Sequence, residues 1–225
     1  QGYSSAASDV YKRQILSTAY LAPFEYYSKL FSGEDILIEQ HENYIKQSYR
    51  NRCSILSANG VMPLSIPIES AGGKKCPIRD VCIADHGNWR HLHWNALISA
   101  YNSTPFFEYY EDDFRPFYER KYKYLFDFNE ELREMICSLL SFDTANISYT
   151  EDYITDITSE DIDLRQDLSP KKDFKTFDPD FVSIPYYQVF EERYGFTENL
   201  SIVDLLFNMG NESLLILEKG LKRIP

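Results

Sequence analysis

The sequence predicts an α/β domain in which an N-terminal β-α-β unit opens a mixed, largely parallel sheet, flanked by helices and followed by a helical C-terminal part. Three observations carry that expectation. Two strand-like segments, residues 15–21 (ILSTAYL) and 34–39 (EDILIE), bracket residues 24–31, where Phe24, Tyr27 and Leu30 recur at helical spacing. From Asn88 onward helical periods dominate, and residues 147–150 (ISYT) return to β-type side chains. The chain has 225 residues and is 44% hydrophobic, which suits one domain with a continuous core.

Residues 15–21 read as the first strand, stopped at Ala22-Pro23 because proline cannot donate to a ladder. The helix over 24–31 ends at Ser32-Gly33, and residues 34–39 form the second strand. Strand, short helix and strand in such a short span favour a parallel pair. Ligands of parallel sheets sit beyond the carboxyl ends of the strands. The loop at 21–27 and the segment after Glu39 therefore share one rim. Residues 51–57 and 62–69 read as a hairpin around Ala58-Asn59-Gly60, with Pro63 and Pro67 confining the second strand to an edge. The stretch 71–75 (AGGKK) lacks the spacing of a phosphate loop and reads as a plain loop.

Residues 79–84 (RDVCIA) read as a further strand. Helices are expected over 88–101, with Asp85 and Asn88 available as caps, then over 107–121 and 129–140. Thr104-Pro105 separates the first two. Residues 147–150 return to the sheet, and the acidic, proline-punctuated residues 151–180 read as a surface excursion or lid. Helices over 188–194, 201–209 and 212–217 finish the domain. Residues 1–14 (QGYSSAASDVYKRQ) have no initiating Met and no helical or strand period. They resemble translated sequencing-adapter read-through, so the expected domain is 15–217, with 218–225 a tail.

A net charge of −12 opposes the phosphates of DNA and RNA, which argues against general nucleic-acid binding. A local basic pocket can still hold a small anion. Cys53, Cys76, Cys82 and Cys137 form no C-x-x-C pair, and reduced thiols in a cytoplasmic protein are the simplest reading. No apolar run approaches the roughly 20 residues of a membrane span.

The run 44–52 (YIKQSYRNR) is the main candidate site. Lys46, Arg50 and Arg52 can bind phosphate or carboxylate, Asn51 and Gln47 offer amides, and Tyr44 and Tyr49 can stack on a base or sugar. A solvated charged loop is the alternative. Residues 85–95 (DHGNWRHLHWN) hold His86, His91, His93 and both tryptophans. His91 and His93 are two positions apart and face different sides of a helix, so no metal site is expected. A histidine general base is expected instead, from His41 just beyond the second strand or from His86. A helix simply packed on the sheet through Trp89, His93, Ala96 and Ala100 is the other reading. No cofactor motif occurs.

The order of LSTAYLAP, YIKQSYRNR, LSIPI, the Trp89…Tyr101…Pro105-Phe106 spacing and the C-terminal SIVDLLFNMG resembles the WbqC-like protein family. Stretches such as WRHLHWNALISAYNSTPFFEYY resemble a Bacteroidetes-type branch of it. The resemblance implies a cytoplasmic bacterial protein linked with O-antigen or other surface-polysaccharide synthesis, and it implies no settled catalytic residues. The positions that match are Tyr44, Lys46, Asn51, Arg52, Trp89, Tyr101, Asp204, Asn208 and Gly210. The first loop departs from the family at Thr18-Ala19, Tyr26 and Gln40-His41, but keeps Tyr20, Pro23 and Tyr27.

Two functions follow as expectations. One is a transferase on an activated or nucleotide-linked sugar, with Lys46 and Arg52 on phosphate or carboxylate, Asn51 and the tyrosines orienting the ligand, and His41 or His86 moving the proton. Convergence of Lys46, Asn51, Arg52 and a histidine in one pocket would support it, and Lys46 and Arg52 in open solvent on opposite sides would take away its main support. The other is a non-catalytic accessory protein bound to a polysaccharide-pathway partner, through aromatic segments such as 106–110.

Overall fold

The computed structural model describes residues 12–32, 34–70 and 75–221. Strands β1 (Arg13–Ser17) and β2 (Ile36–Glu39) run parallel, joined through helix α1 (Phe24–Leu30), as the β-α-β reading requires. Strand β1 starts two residues earlier than expected: Gln14 is buried, and Arg13 Nε donates to Asp161 Oδ1 at 2.7 Å. It also stops earlier, at Ser17, and the expected strand end at Leu21 is instead a turn, with Leu21 in the left-handed region at φ 40°. Hairpin β3 (Arg52–Ser57) and β4 (Gly60–Ser65) closes at Gly60, whose φ of 99° favours glycine. This antiparallel pair stands apart from the parallel sheet.

The expected strand over 79–84 is instead a 3₁₀ turn at Ile78–Asp80 followed by isolated bridges, Ile68 to Ile83 and Cys82 to Tyr124. Pro77 sets up the turn, which closes when Asp80 N–H donates to the Pro77 carbonyl. Helices α2 (Trp89–Tyr101), α3 (Phe107–Glu119) and α4 (Leu125–Leu139) follow. Asn88 caps α2 by backbone position alone, with φ 48° and no side-chain bond. Strand β5 (Ile147–Tyr149) then pairs parallel to β2.

The 151–180 excursion holds a sheet strand that the sequence reading missed. Strand β6 (Asp161–Asp163) pairs parallel to β1, giving the order β5-β2-β1-β6. Short helices α5 (Phe174–Phe177) and α6 (Glu191–Tyr194) lead to α7 (Ile202–Met209) and α8 (Ser213–Lys219). Buried Asp204 fastens this C-terminal part: it accepts from Tyr101 Oη at 2.9 Å, Tyr186 Oη at 2.8 Å and Gln188 Nε2 at 2.9 Å. Burial pushes its carboxyl up to about 6 against those three donors. Residues 1–11, Gly33, residues 71–74 and residues 222–225 lie outside the described residues, and with them most of the expected leader 1–14, the expected loop at 71–75 and the end of the expected tail 218–225.

Candidate functional site

All four strands of the main sheet are parallel, so Ser17, Glu39, Tyr149 and Asp163 end on the same edge. The chain runs outward from β1 to β2 and β5, then returns to the other side of β1 as β6. Ligand sites in open α/β sheets collect at such an edge.

Much of the edge is a closed ionic frame. Arg50 is buried and donates to Glu42 through Nε at 2.7 Å and Nη2 at 2.5 Å, and to Ser17 Oγ at 2.6 Å. Glu39 is fully buried, and it accepts from Arg165 Nη1, Thr150 Oγ1, Ile154 N–H and His41 N–H. Arg165 also grips Asp163, whose burial pushes its carboxyl up but whose hydrogen bonds to Arg165 win and hold it below the usual range. Glu130 on α4 accepts from Thr18 Oγ1 at 2.6 Å and Arg133 Nε at 2.9 Å. Paired buried charges of this kind satisfy one another and are not available to a ligand. A small cavity between Ser17, Thr18, Tyr26, Tyr49 and Arg50 lies within this frame.

An open cleft of about 550 Å³ adjoins it. Gln40 and His41, directly after β2, form one wall; Arg79 and Asp80 come from the 3₁₀ turn, and Tyr124 and Asp127 from the start of α4. Ile78 N–H bonded to the Glu42 carbonyl, and Leu125 N–H bonded to the Val81 carbonyl, hold these walls together. Arg79, Asp80 and Asp127 are exposed, and among the described residues their side chains make no hydrogen bond or ion pair. His41 Nε2 lies 3.2 Å from the Thr150 carbonyl oxygen. A carbonyl only accepts, so Nε2 carries the proton and Nδ1 of the neutral ring is left as an acceptor.

Of the residues expected from sequence, only His41 lines this cleft. Lys46 is exposed, and Arg52 reaches across the hairpin, where its Nε donates to Ser65 Oγ at 3.0 Å. Asn51 is a brace: it accepts from Tyr44 Oη at 2.9 Å and donates to the Ile66 carbonyl at 2.8 Å. The expected convergence of Lys46, Asn51 and Arg52 with a histidine is therefore absent, because these side chains tie down the hairpin or face solvent. Tyr49 is largely buried and touches the small cavity, and its carbonyl accepts from Tyr20 N–H. His86 is exposed beside Asp85, which pairs instead with Arg90 and Lys121. Tyr20 and Trp89 are core residues. Tyr20 Oη lies 2.9 Å from both His93 Nδ1 and Tyr118 Oη, and the Trp89 ring packs edge-on against His93, Tyr118 and Phe128. Burial lowers His93 to about 4, against the Ser65 backbone, so the ring is neutral.

Arg50, which is not among the positions matching the family, is the cation of the run that reaches the rim. Sequence reasoning missed Arg79 and Asp80 because a strand was expected there, and Asp127 because α4 begins four residues before its expected start. The proline ahead of Arg79 was the available signal.

The model of the WbqC-like protein family matches residues 18–177. The chain belongs to the WbqC-like family. The matched residues take in the rim from Thr18 to Arg165 but not Ser17, and SIVDLLFNMG lies beyond them. The chain is similar to Uncharacterized protein Rv1507c of Mycobacterium tuberculosis, 25% identical over 221 residues, covering 90% of this chain and 95% of the relative. No solved structure matches. Among the described residues of this WbqC-like protein, no helix is long and apolar enough to cross a membrane, and no group of three or more His, Cys, Asp and Glu is placed to hold a metal ion.

Proposed function

We propose that the chain is a cytoplasmic transferase acting on an activated sugar or sugar nucleotide in bacterial surface-polysaccharide synthesis, with its reaction centre in the cleft after β2. One observation carries this reading. His41 stands in the cleft with Nδ1 free to accept a proton, beside Arg79, Asp80 and Asp127, whose side chains have no partner among the described residues. In this scheme His41 Nδ1 takes the proton of an acceptor hydroxyl as its oxygen attacks the activated sugar carbon. The bond from that carbon to the leaving phosphate breaks, and the Arg79 guanidinium holds the departing charge. Asp80 and Asp127 accept hydrogen bonds from sugar hydroxyls. Lys46 and Arg52 have no contact with the ligand in this scheme.

The test is calorimetry and turnover with a panel of nucleotide sugars. His41→Gln is expected to lower turnover at least ~100-fold with little change in binding. Arg79→Ala is expected to weaken binding about tenfold, or about 1.4 kcal/mol. Absence of binding by any nucleotide sugar removes the proposal.

A second reading, an accessory protein docked on a pathway partner, is favoured by Tyr109, which is 84% exposed on α3. Recovery of a stable glycosyltransferase complex that Tyr109→Ala dissolves, with no turnover by the isolated chain, would support it.

A further inference from the structure

The turn that brings Arg79 and Asp80 to the cleft is bracketed by two thiols, Cys76 and Cys82. Both are partly exposed, whereas Cys53 and Cys137 are 1% and 0% exposed. The backbone doubles back between the pair, since Asp80 N–H donates to the Pro77 carbonyl at 2.9 Å. Neither thiol turns away from this bend. Cys76 Sγ lies 3.6 Å from the Pro77 carbonyl oxygen, and Cys82 Sγ lies 3.7 Å from that of Asp80. Burial, then Asp80, then Cys82 raise the Cys76 thiol above its ordinary range, so the two sulfurs also sense each other's charge.

We propose that Cys76 and Cys82 are a redox pair that closes to a disulfide across this turn on reaction with a low-molecular-weight disulfide such as oxidised glutathione, and that closure alters the cleft wall. One cysteine thiolate attacks the small disulfide, forming a mixed disulfide and releasing one small thiol. The second thiolate attacks the protein-bound sulfur and expels the other small thiol. The two S–H protons leave with the small thiols, and the two electrons lost by the cysteines reduce the small disulfide. A disulfide needs Cα atoms about 4.4–6.8 Å apart, and the Asp80-to-Pro77 hydrogen bond shortens the path between the two cysteines. The raised Cys76 thiol makes the reaction slow near neutral pH and faster as pH rises. Bond formation stands on the turn geometry alone; its regulatory meaning rests on the cleft being the reaction centre.

The test treats the reduced full chain with oxidised glutathione and measures intact mass and tryptic peptides. Trypsin cuts after Lys75, Arg79 and Arg90, so the expected product joins peptide 76–79 to peptide 80–90, with a loss of about 2 Da. Cys76→Ser should abolish that loss and leave only a glutathione adduct on Cys82. Persistent glutathione adducts in the parent, a link to Cys53 or Cys137, or four unreacted thiols would each overturn the pairing. Oxidation should also shift the imidazole NMR signals of His41 and leave those of buried His93 in place. Unmoved His41 signals in a chain that has formed the bond overturn the effect on the cleft, and neither result depends on whether a nucleotide sugar binds.

Discussion

Glu25 on α1 is buried beside Asp178 and Lys29, and Lys29 Nζ already donates to Asp178 Oδ1 at 2.7 Å. Asp178 Oδ2 has no hydrogen-bond partner when Glu25 is drawn as a carboxylate. Burial pushes Glu25 up to about 8, with the Asn199 hydrogen bond opposing and Asp178 adding to the rise. A protonated Glu25 resolves both problems, since it removes one of two adjacent negative charges and supplies a donor for Asp178. Lys29, Asp178 and Tyr49 are the ionisable groups coupled to it. The folded chain then keeps a proton that the unfolded chain has released. Stability from Glu25 is full below about pH 4.5 and is lost as pH rises to about 8, by an amount on the order of a few kcal/mol. Urea midpoints of the parent should therefore fall between pH 5 and pH 8 relative to those of Glu25→Gln, which stays neutral throughout. Parallel pH profiles for the two proteins would contradict a protonated Glu25. Gly210 gives a second prediction at this scale. Its φ is 55°, and a Cβ built there would come within 2.6 Å of the Phe106 ring. Gly210→Ala should cost about 1–3 kcal/mol in chemical denaturation, and no loss would mean the ring moves freely.

Strand β6 shows what pairing can do for a poor strand sequence. Asp161–Asp163 offers one isoleucine between two acids, and it holds its place because Arg13 neutralises Asp161 and Arg165 neutralises Asp163. Arg165 also reaches fully buried Glu39 at the end of β2, so one side chain fastens the excursion to two strands. Arg165→Ala leaves Glu39 with neutral donors only, and it should cost about 3–5 kcal/mol. Hydrogen exchange over 151–165 should quicken well before that of β2; uniform exchange would show that the excursion is held by something else. The same contrast explains what was legible. Strands β1 and β2 and helix α1 could be read because Ile15-Leu16 and Ile36–Ile38 are local apolar clusters on either side of a clear helical period. Strand β6 could not, because three residues whose strand partner, β1, lies 148 positions away leave no local pattern. The 3₁₀ turn at Ile78–Asp80 was hidden for a related reason: the residues on either side of it, Pro77, Cys82 and Ile83, are placed by isolated bridges to Asn43, Tyr124 and Ile68.

Across the whole molecule, parallel strands deliver their carboxyl ends to one edge, where charges divide into two groups. Arg50, Arg133 and Arg165 are locked to acids inside the frame, while Arg79, Asp80 and Asp127 in the cleft have no side-chain partner among the described residues. The place of His41 in the cleft was legible because topology alone put the segment after β2 on the rim. The 44–52 run was not a sound guide, since a dense group of cations in a chain of net charge −12 reads the same whether it binds a ligand or braces a hairpin. Which of those it does depends on tertiary pairing. The most direct test of the cleft is NMR mapping of backbone and imidazole signals during titration with a panel of nucleotide sugars. The proposed site predicts shifts concentrated at Gln40, His41, Arg79, Asp80, Tyr124 and Asp127. Shifts centred on Lys46, Asn51 and Arg52, with the cleft signals unmoved, would contradict it.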